Sequence, residues 1–176
     1  LFDFGFSEDG AAQNARTLGV NMSEVEAAAL SHGHSDHTGG ISKLAAMIGK
    51  KNIPFVAHPS AFKSPRYLKY SEDIKINFPK LTREKVEAAG FSVVESNKPH
   101  YILDDAILFL GEIPRRTDFE KGLPVAHWQK EGKEMWDAIE DDTGIAVNVK
   151  GKGLVVLTGC SHAGVVNTVR HAMKVA

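Results

Sequence analysis

His32-Gly33-His34-Ser35-Asp36-His37-Thr38-Gly39-Gly40 decides the reading of this chain, because it packs four metal-ligand side chains into six consecutive positions. In an extended loop, residues two apart point the same way, so His32 and His34 can grip one ion. Gly33 keeps the backbone between them uncrowded. A turn toward Gly39-Gly40 then brings Asp36 and His37 back to the same spot. This is not the helical HExxH arrangement, since neighbours two apart cannot share a helix face. Imidazole and carboxylate together suit one or two Zn²⁺ ions, with Mn²⁺ or Fe²⁺ as alternatives. A polar loop holding three histidines by chance is the competing reading. It leaves unexplained why the cluster falls between an apolar strand and a helix.

Outward from the loop, Ala27 to Ser31 reads as a small-residue strand delivering the chain into it. Apolar residues at 41, 44, 45 and 48 describe a helix with one buried face. Upstream, Leu1 to Gly5 reads as a buried strand entering a turn, and Ala11 to Leu18 as a helix stopped by Gly19. Ser23 caps a brief turn. Downstream, Ile53 to Ala57 is a strand ended by His58-Pro59, and Thr82 caps a helix that stops at Gly90. Phe91 to Glu95, Tyr101 to Leu103 and Ala106 to Leu110 follow as strands. Ile145 to Val149 and Leu154 to Thr158 form a hairpin around Gly151-Lys152-Gly153, and Val165 to Val175 is a helix. Residues 59–81 read as a surface excursion, and 111–142 as a long connection of functional character. The order predicts α/β layers with metal chemistry at strand ends. No linker divides residues 1–176, so one domain is expected.

The bulk properties narrow the function classes. With 43% hydrophobic and 24% charged residues, the 176-residue chain can bury a real core. A net charge of −1 with dispersed Lys and Arg gives no footprint for nucleic acid. No apolar run nears the roughly 20 residues that span a bilayer, so no membrane partner is expected. The single cysteine, Cys160, excludes an intramolecular disulfide and suits a reducing cytoplasm.

His-Gly-His-Ser-Asp-His resembles the HxHxDH signature of the metallo-β-lactamase superfamily. Leu1-Phe2-Asp3-Phe4-Gly5 resembles that family's early strand ending in Asp and Gly. Val155 through His162 resembles the later strand that supplies a further histidine. Gly111-Glu112-Ile113-Pro114-Arg115 and the segment around Cys160 resemble one branch, the dihydropterin–ribofuranosylaminobenzene-phosphate synthase-like proteins. The resemblance implies a metallo-β-lactamase-like αββα sandwich. It also implies His32, His34 and His162 at a first metal site, Asp36 and His37 at a second, and Asp3 as a buried acceptor ordering the metal loop. Catalysis would fall to Asp36 with His32, His34 and His37. Two departures stand against the family pattern: no Asp or Glu follows His162, and the only later histidine, His171, falls within a helix. With a missing initiator Met and a second αβ half of one helix, the chain is expected to be incomplete at both termini.

Further candidates weigh against plainer roles. Cys160 reads as a small buried hydrophobe rather than a thiolate ligand. His58 stands near the metal edge, as a substrate contact or a capping histidine. Arg115 and Arg116 offer a fork for phosphate or carboxylate against the reading of a solvated pair. Trp128, Trp136 and Phe119 read as loop packing rather than as a roof over a pocket. The leading expectation is a metal-dependent hydrolase using a metal-activated hydroxide on a small, anionic, phosphate-bearing substrate. The branch resemblance implies instead a transferase-like condensation in pterin cofactor synthesis. A redox role would want a flavin domain, which this sequence lacks. A non-catalytic metal-binding protein is the non-enzyme alternative. Oligomeric state is not legible.

Overall fold

The period-3.6 and period-2 segments find their partners in the computed structural model, which describes residues 1–176. Helices α1 (Gly10–Thr17), α3 (Ile41–Ile48) and α4 (Arg83–Ala88) lie on a parallel sheet of β1 (Ala28–Ala29), β2 (Ile53–Ala57) and β5 (Phe91–Glu95), ordered β1-β2-β5. Phe4, Phe55 and Phe91 fill the layer between, with Phe4–Phe55 ring centroids 5.5 Å apart. An antiparallel sheet faces the other side of the parallel one. Its strands are β6 (His100–Ile102), β7 (Ile107–Phe109), β10 (Gly144–Val149) and β11 (Gly153–Thr158), in the order β11-β10-β7-β6. Ala27, Ala29, Val56, Ile102, Phe109 and Ile145 form the core between the two sheets. Helix α5 (Val165–Val175) covers the outer face through Ala172, against Leu108, Leu110 and Ala146. The layers are therefore α, β, β, α. No helix is long and apolar enough to cross a membrane.

Boundaries move by a residue or two where backbone capping overrides side-chain pattern. Helix α1 starts at Gly10, and the short turn at Met22–Glu24 is capped by Asn21, whose side chain accepts from the Ser23 amide. Thr82 does cap α4, accepting from the Lys85 amide at 3.1 Å.

The larger correction concerns residues 59–81 and 111–142, expected as a surface excursion and a long connection. They pair with each other. Strands β3 (Arg66–Lys69) and β4 (Lys75–Asn77) from the first excursion meet β8 (Ala126–Lys130) and β9 (Lys133–Trp136) from the second, in a sheet ordered β4-β3-β8-β9. Each strand is short, and β9 is exposed along its length, so neither stretch shows a buried face in sequence. The sheet exists through long-range pairing such as Arg66 with Trp128 and Leu68 with Ala126.

One buried ion network attaches this sheet to the sandwich. Arg66 Nε donates to Asp137 Oδ2 at 2.6 Å, and its two terminal nitrogens donate to the two oxygens of Asp141 at 2.9 Å each. Arg66 and both carboxylates are almost fully shielded from solvent. Lys63 Nζ adds a contact to Asp137 at 3.2 Å. The bidentate geometry satisfies both Asp141 oxygens at once. Breaking a buried pair leaves an uncompensated charge, which costs about 3–5 kcal/mol, whereas an exposed pair is worth under about 1 kcal/mol. Asp141→Asn should therefore lower the stability read by urea denaturation by about 3 kcal/mol or more, and Arg83→Ala, which breaks the exposed pair with Glu95, by under about 1 kcal/mol. Equal midpoints for the two variants would contradict the network's role.

Candidate metal centre

Gly33 is the residue that lets the ligand loop sit where it does. An added Cβ would overlap the Ala61 carbonyl oxygen, so only glycine permits this approach. The Gly33 amide donates to Asp141 Oδ2 at 2.7 Å. His32 and His34 flank it, both buried, before α2 (Ser35–Thr38) carries Asp36 and His37. His162 arrives from the turn after β11. The His32 and His34 ring centroids are 4.6 Å apart, and His162 stands 4.9 Å from His32 and 5.1 Å from His34. The Nε2 atoms of all three histidines are buried and have no hydrogen-bond partner. Burial lowers the pKa of each, with His34 brought to about 3, so these rings are neutral and present lone pairs. Three unsatisfied imidazole nitrogens on neighbouring rings fit a divalent metal ion.

The second cluster is bonded differently. His37 Nδ1 lies 2.7 Å from Asp3 Oδ2, and Asp3 also accepts from the Ser31 amide and hydroxyl at 2.7 Å each. This carboxylate-to-imidazole arrangement fixes the ring so that Nε2 faces the site. His37 Nε2 is 3.3 Å from Asp36 Oδ2 and 3.2 Å from Cys160 Sγ. Burial disfavours the charged ring, but the hydrogen bonds to Asp3 and Cys160 and the charges of Asp3 and Asp36 outweigh it and raise its pKa to about 10. Candidate donor atoms fall within 4.8 Å of one another in two sets: His32, Asp36 and His37, and His32, Cys160 and His162.

Cys160 is thus exposed and turned toward the site, contrary to the small buried hydrophobe expected of a lone cysteine. Arg115 and Arg116 do not form an anion fork. The Arg115 guanidinium donates to the carbonyls of His162 at 3.0 Å, of Ile139 at 3.4 Å, and of Ala138. It thereby braces the His162 turn. Arg116 lies in a separate cavity with Asn167, Arg170 and Lys174. His58 accepts from the Ser60 amide at 3.1 Å through Nδ1 and caps the 3-10 turn Pro59–Phe62, with Nε2 3.7 Å from Glu112. It does not line the cavity beside the candidate ligands. That cavity, about 290 Å³, is walled by Phe6, Leu68, Phe78 and Leu123 next to His34, Asp36, Cys160 and His162. Trp128, Trp136 and Phe119 are not among its walls.

Sequence reasoning missed the acidic turn behind the ligands. Asp141 holds Gly33, and Asp142 Oδ2 accepts from the Ala163 amide at 2.8 Å, beside His162. Burial raises the Asp142 pKa to about 6, while the Arg66 charge and hydrogen bonds hold Asp141 well below the carboxylate range despite its own burial. The signal was present as three acids in Glu140-Asp141-Asp142 at the mouth of an apolar strand, where unpaired carboxylates would be costly.

An αββα sandwich with its histidines gathered at one loop edge is the class of fold that the sequence resemblance implies. The model of the metallo-beta-lactamase superfamily matches residues 1–170, and the chain belongs to that superfamily. Over its whole length it is 32% identical, across 179 residues, to the 7,8-dihydropterin-6-methyl-4-(beta-D-ribofuranosyl)-aminobenzene-5'-phosphate synthase of Methanocaldococcus jannaschii. It is 30% identical across 186 residues to an uncharacterized protein of the same archaeon. The chain spans 60% and 63% of these two relatives. Among solved structures, Tm1679, a metal-dependent hydrolase of the beta-lactamase superfamily, shares the fold with a TM-score of 0.74 at 24% identity, over 99% of this chain and 60% of that one.

If the orphaned nitrogens hold an ion, His32→Ala combined with His34→Ala should remove most of the metal that co-purifies without chelator. His171→Ala should leave metal content unchanged, since His171 Nε2 is bonded to the Leu110 carbonyl at 3.0 Å. Elemental analysis showing parental metal in the double variant would sink the ligand assignment.

Proposed function

We propose that this chain carries the centre of a metal-dependent hydrolase for a small, phosphate-bearing substrate, with activated water as nucleophile. The observation that carries the proposal is the set of three buried, unpartnered Nε2 atoms of His32, His34 and His162. These residues would hold the first ion and Asp36 and His37 the second, with Zn²⁺ the ion that best suits the donor set. A divalent ion in such a pocket supplies Lewis acidity, enough to make water a nucleophile near neutral pH.

The chain's own groups do the rest. Asp36 is half exposed and faces the cavity, so its carboxylate can orient the attacking water. Asp3 keeps the His37 ring from rotating. Leu68, Phe78 and Leu123, with the exposed Phe6, offer an apolar surface for a flat ring beside the candidate ligands. Since Arg115 braces backbone, preference for a phosphate-bearing substrate is supported by the similarity to the archaeal synthase rather than by an arginine fork. The free thiol of Cys160 is at home in a reducing, cytoplasmic compartment.

The same apolar wall and the 32% identical relative favour a second reading, a condensation in pterin cofactor synthesis with departure of a diphosphate. Product analysis separates the two. The metal-loaded chain is incubated with a pterin diphosphate plus an arylamine riboside phosphate, and separately with a panel of phosphodiesters and lactones. Turnover of the panel, abolished in the His32/His34 double variant, is the expected result. Coupled pterin product alone would replace hydrolysis by condensation, and no turnover of either would leave a metal-binding protein.

A further inference from the structure

One face of α5 carries no part of the metal centre. Asn167, Arg170, His171 and Lys174 follow one another at helical spacing, so they share that face. Arg170 and Lys174 are one turn apart with the same charge, which destabilises a helix slightly. A lysine in a last turn complements the helix dipole, which accounts for Lys174 but not for Arg170. A third cation, Arg116, joins them from the loop after β7. With Asn167 and His171 the three line a cavity of about 230 Å³, and none of its walls is acidic. Glu120 feels the Arg170 charge, but its oxygens accept from the Val166 and Asn167 amides at 2.8 and 3.0 Å and from the Thr117 hydroxyl at 2.8 Å.

The cations are held there by a buried amide. Asn167 is only 2% exposed. Its Oδ1 accepts from the Arg116 and Thr117 amides at 2.9 and 3.1 Å. Its Nδ2 donates to Thr117 Oγ1 at 3.0 Å and to the Ala163 carbonyl at 2.9 Å. The whole hydrogen-bonding capacity of that side chain is thus spent on fixing the Arg116 backbone against α5. His171 Nε2 donates to the Leu110 carbonyl at 3.0 Å, which fixes the imidazole wall as well. The free ends of Arg116, Arg170 and Lys174 then supply two planar forks and one point charge, the donor set that phosphate oxygens take. A volume below the roughly 300–1,000 Å³ of pockets for drug-sized ligands suits a compact anion. A nucleic acid strand would need a basic track, which a net charge of −1 with dispersed cations does not provide.

We propose that this cavity binds a small phosphorylated anion, held by Arg116, Arg170 and Lys174. A helical rise of about 1.5 Å per residue sets Arg170 and Lys174 about 9 and 15 Å along α5 from Gly164, beyond the His162 turn. The anion site is therefore separate from the metal centre and does not rest on the metal reading.

Titration calorimetry of the metal-free full chain with inorganic pyrophosphate, and then with inorganic phosphate, tests the assignment at low ionic strength. One saturable site is expected, tighter for pyrophosphate because it brings more charge. Binding should persist when His32→Ala and His34→Ala are combined. It should weaken at least about 10-fold when Arg116→Ala and Arg170→Ala are combined. Lys152→Ala, in the exposed turn between β10 and β11, should leave it unchanged. Phenylglyoxal labelling of the parent, read by peptide mass spectrometry, needs no variant. Pyrophosphate should slow the labelling of Arg116 and Arg170 but not of Arg16, which is exposed on α1. Binding lost in the histidine variant and kept in the arginine variant would move the anion to the metal centre and overturn the proposal. Equal weakening by Lys152→Ala would reduce the effect to diffuse surface charge. Absence of any saturable binding would overturn the proposal outright, with the histidine site left standing.

Discussion

The Asp141 carboxylate, wholly buried, is tied at once to Arg66 on β3 and to the Gly33 amide between His32 and His34. Water cannot replace either partner at that depth, so the charge persists only while both stay in place. The added sheet and the ligand loop are thus positioned by one anion. Its neighbours extend the hold: Asp142 takes the Ala163 amide beside His162, the Thr143 amide donates to the Ser31 carbonyl at 2.9 Å, and the Thr143 hydroxyl donates to the Gly111 carbonyl at 2.6 Å. Both halves of the histidine set therefore hang from a single turn. The turn carries visible strain, because Ile139 holds a φ of 53°, a conformation that a β-branched residue rarely adopts. The Ile139 amide donates to Asp137, and its carbonyl accepts from the Asp142 amide at 3.0 Å and from Arg115 at 3.4 Å. Those bonds hold the strained residue in place.

Such bracing matters because the centre is arranged against its own stability. A buried polar atom left unpaired costs on the order of 1–3 kcal/mol, and His32, His34 and His162 each present one. Burial has made the rings neutral, so they neither repel one another as cations nor find partners among themselves. Proteins break local rules of this kind at functional sites and compensate nearby. Here the compensation is visible in the Asp3 bonds to Ser31 and His37 and in the Arg66 network, which lie directly behind the unsatisfied atoms.

The front of the molecule was legible because it is local. The short apolar run Ile53–Ala57, buried at every residue but Pro54, the helical stripe at 41, 44, 45 and 48, and the crowding of ligand-type residues at 32–37 are all properties of short windows. What escaped reading depends on distant pairs. Arg66 looks like any surface arginine until Asp137 and Asp141 arrive from more than 70 positions away. Strands β3 and β8 have no apolar alternation of their own, because pairing with each other, and not a core, makes them strands. Arg115 was misjudged for the same reason: adjacency to Arg116 suggested a fork, while the backbone sends the two side chains to different cavities. For Cys160, the usual burial of a free cysteine suggested a core side chain, while the folded chain leaves it exposed with His37 and Asp36 beside it.

The division between local and distant elements also separates chemistry from selection. Every candidate donor comes from the sandwich: Asp36 and His37 on α2, His32 and His34 on the loop before it, Cys160 and His162 after β11. The apolar wall comes largely from elsewhere, with Leu68 on β3, Phe78 just past β4 and Leu123 ahead of β8. The Phe78 and His34 ring centroids lie 4.6 Å apart at a tilt of 45°, so the wall reaches the centre without supplying a ligand. A hydrophobic wall discriminates weakly among apolar groups of similar size, by about 1–3 kcal/mol per methylene. The stronger discrimination at this centre must then come from the groups that meet polar atoms of the substrate. On this chain the polar side chains that line the cavity opposite that wall include His34, Asp36, Cys160 and His162.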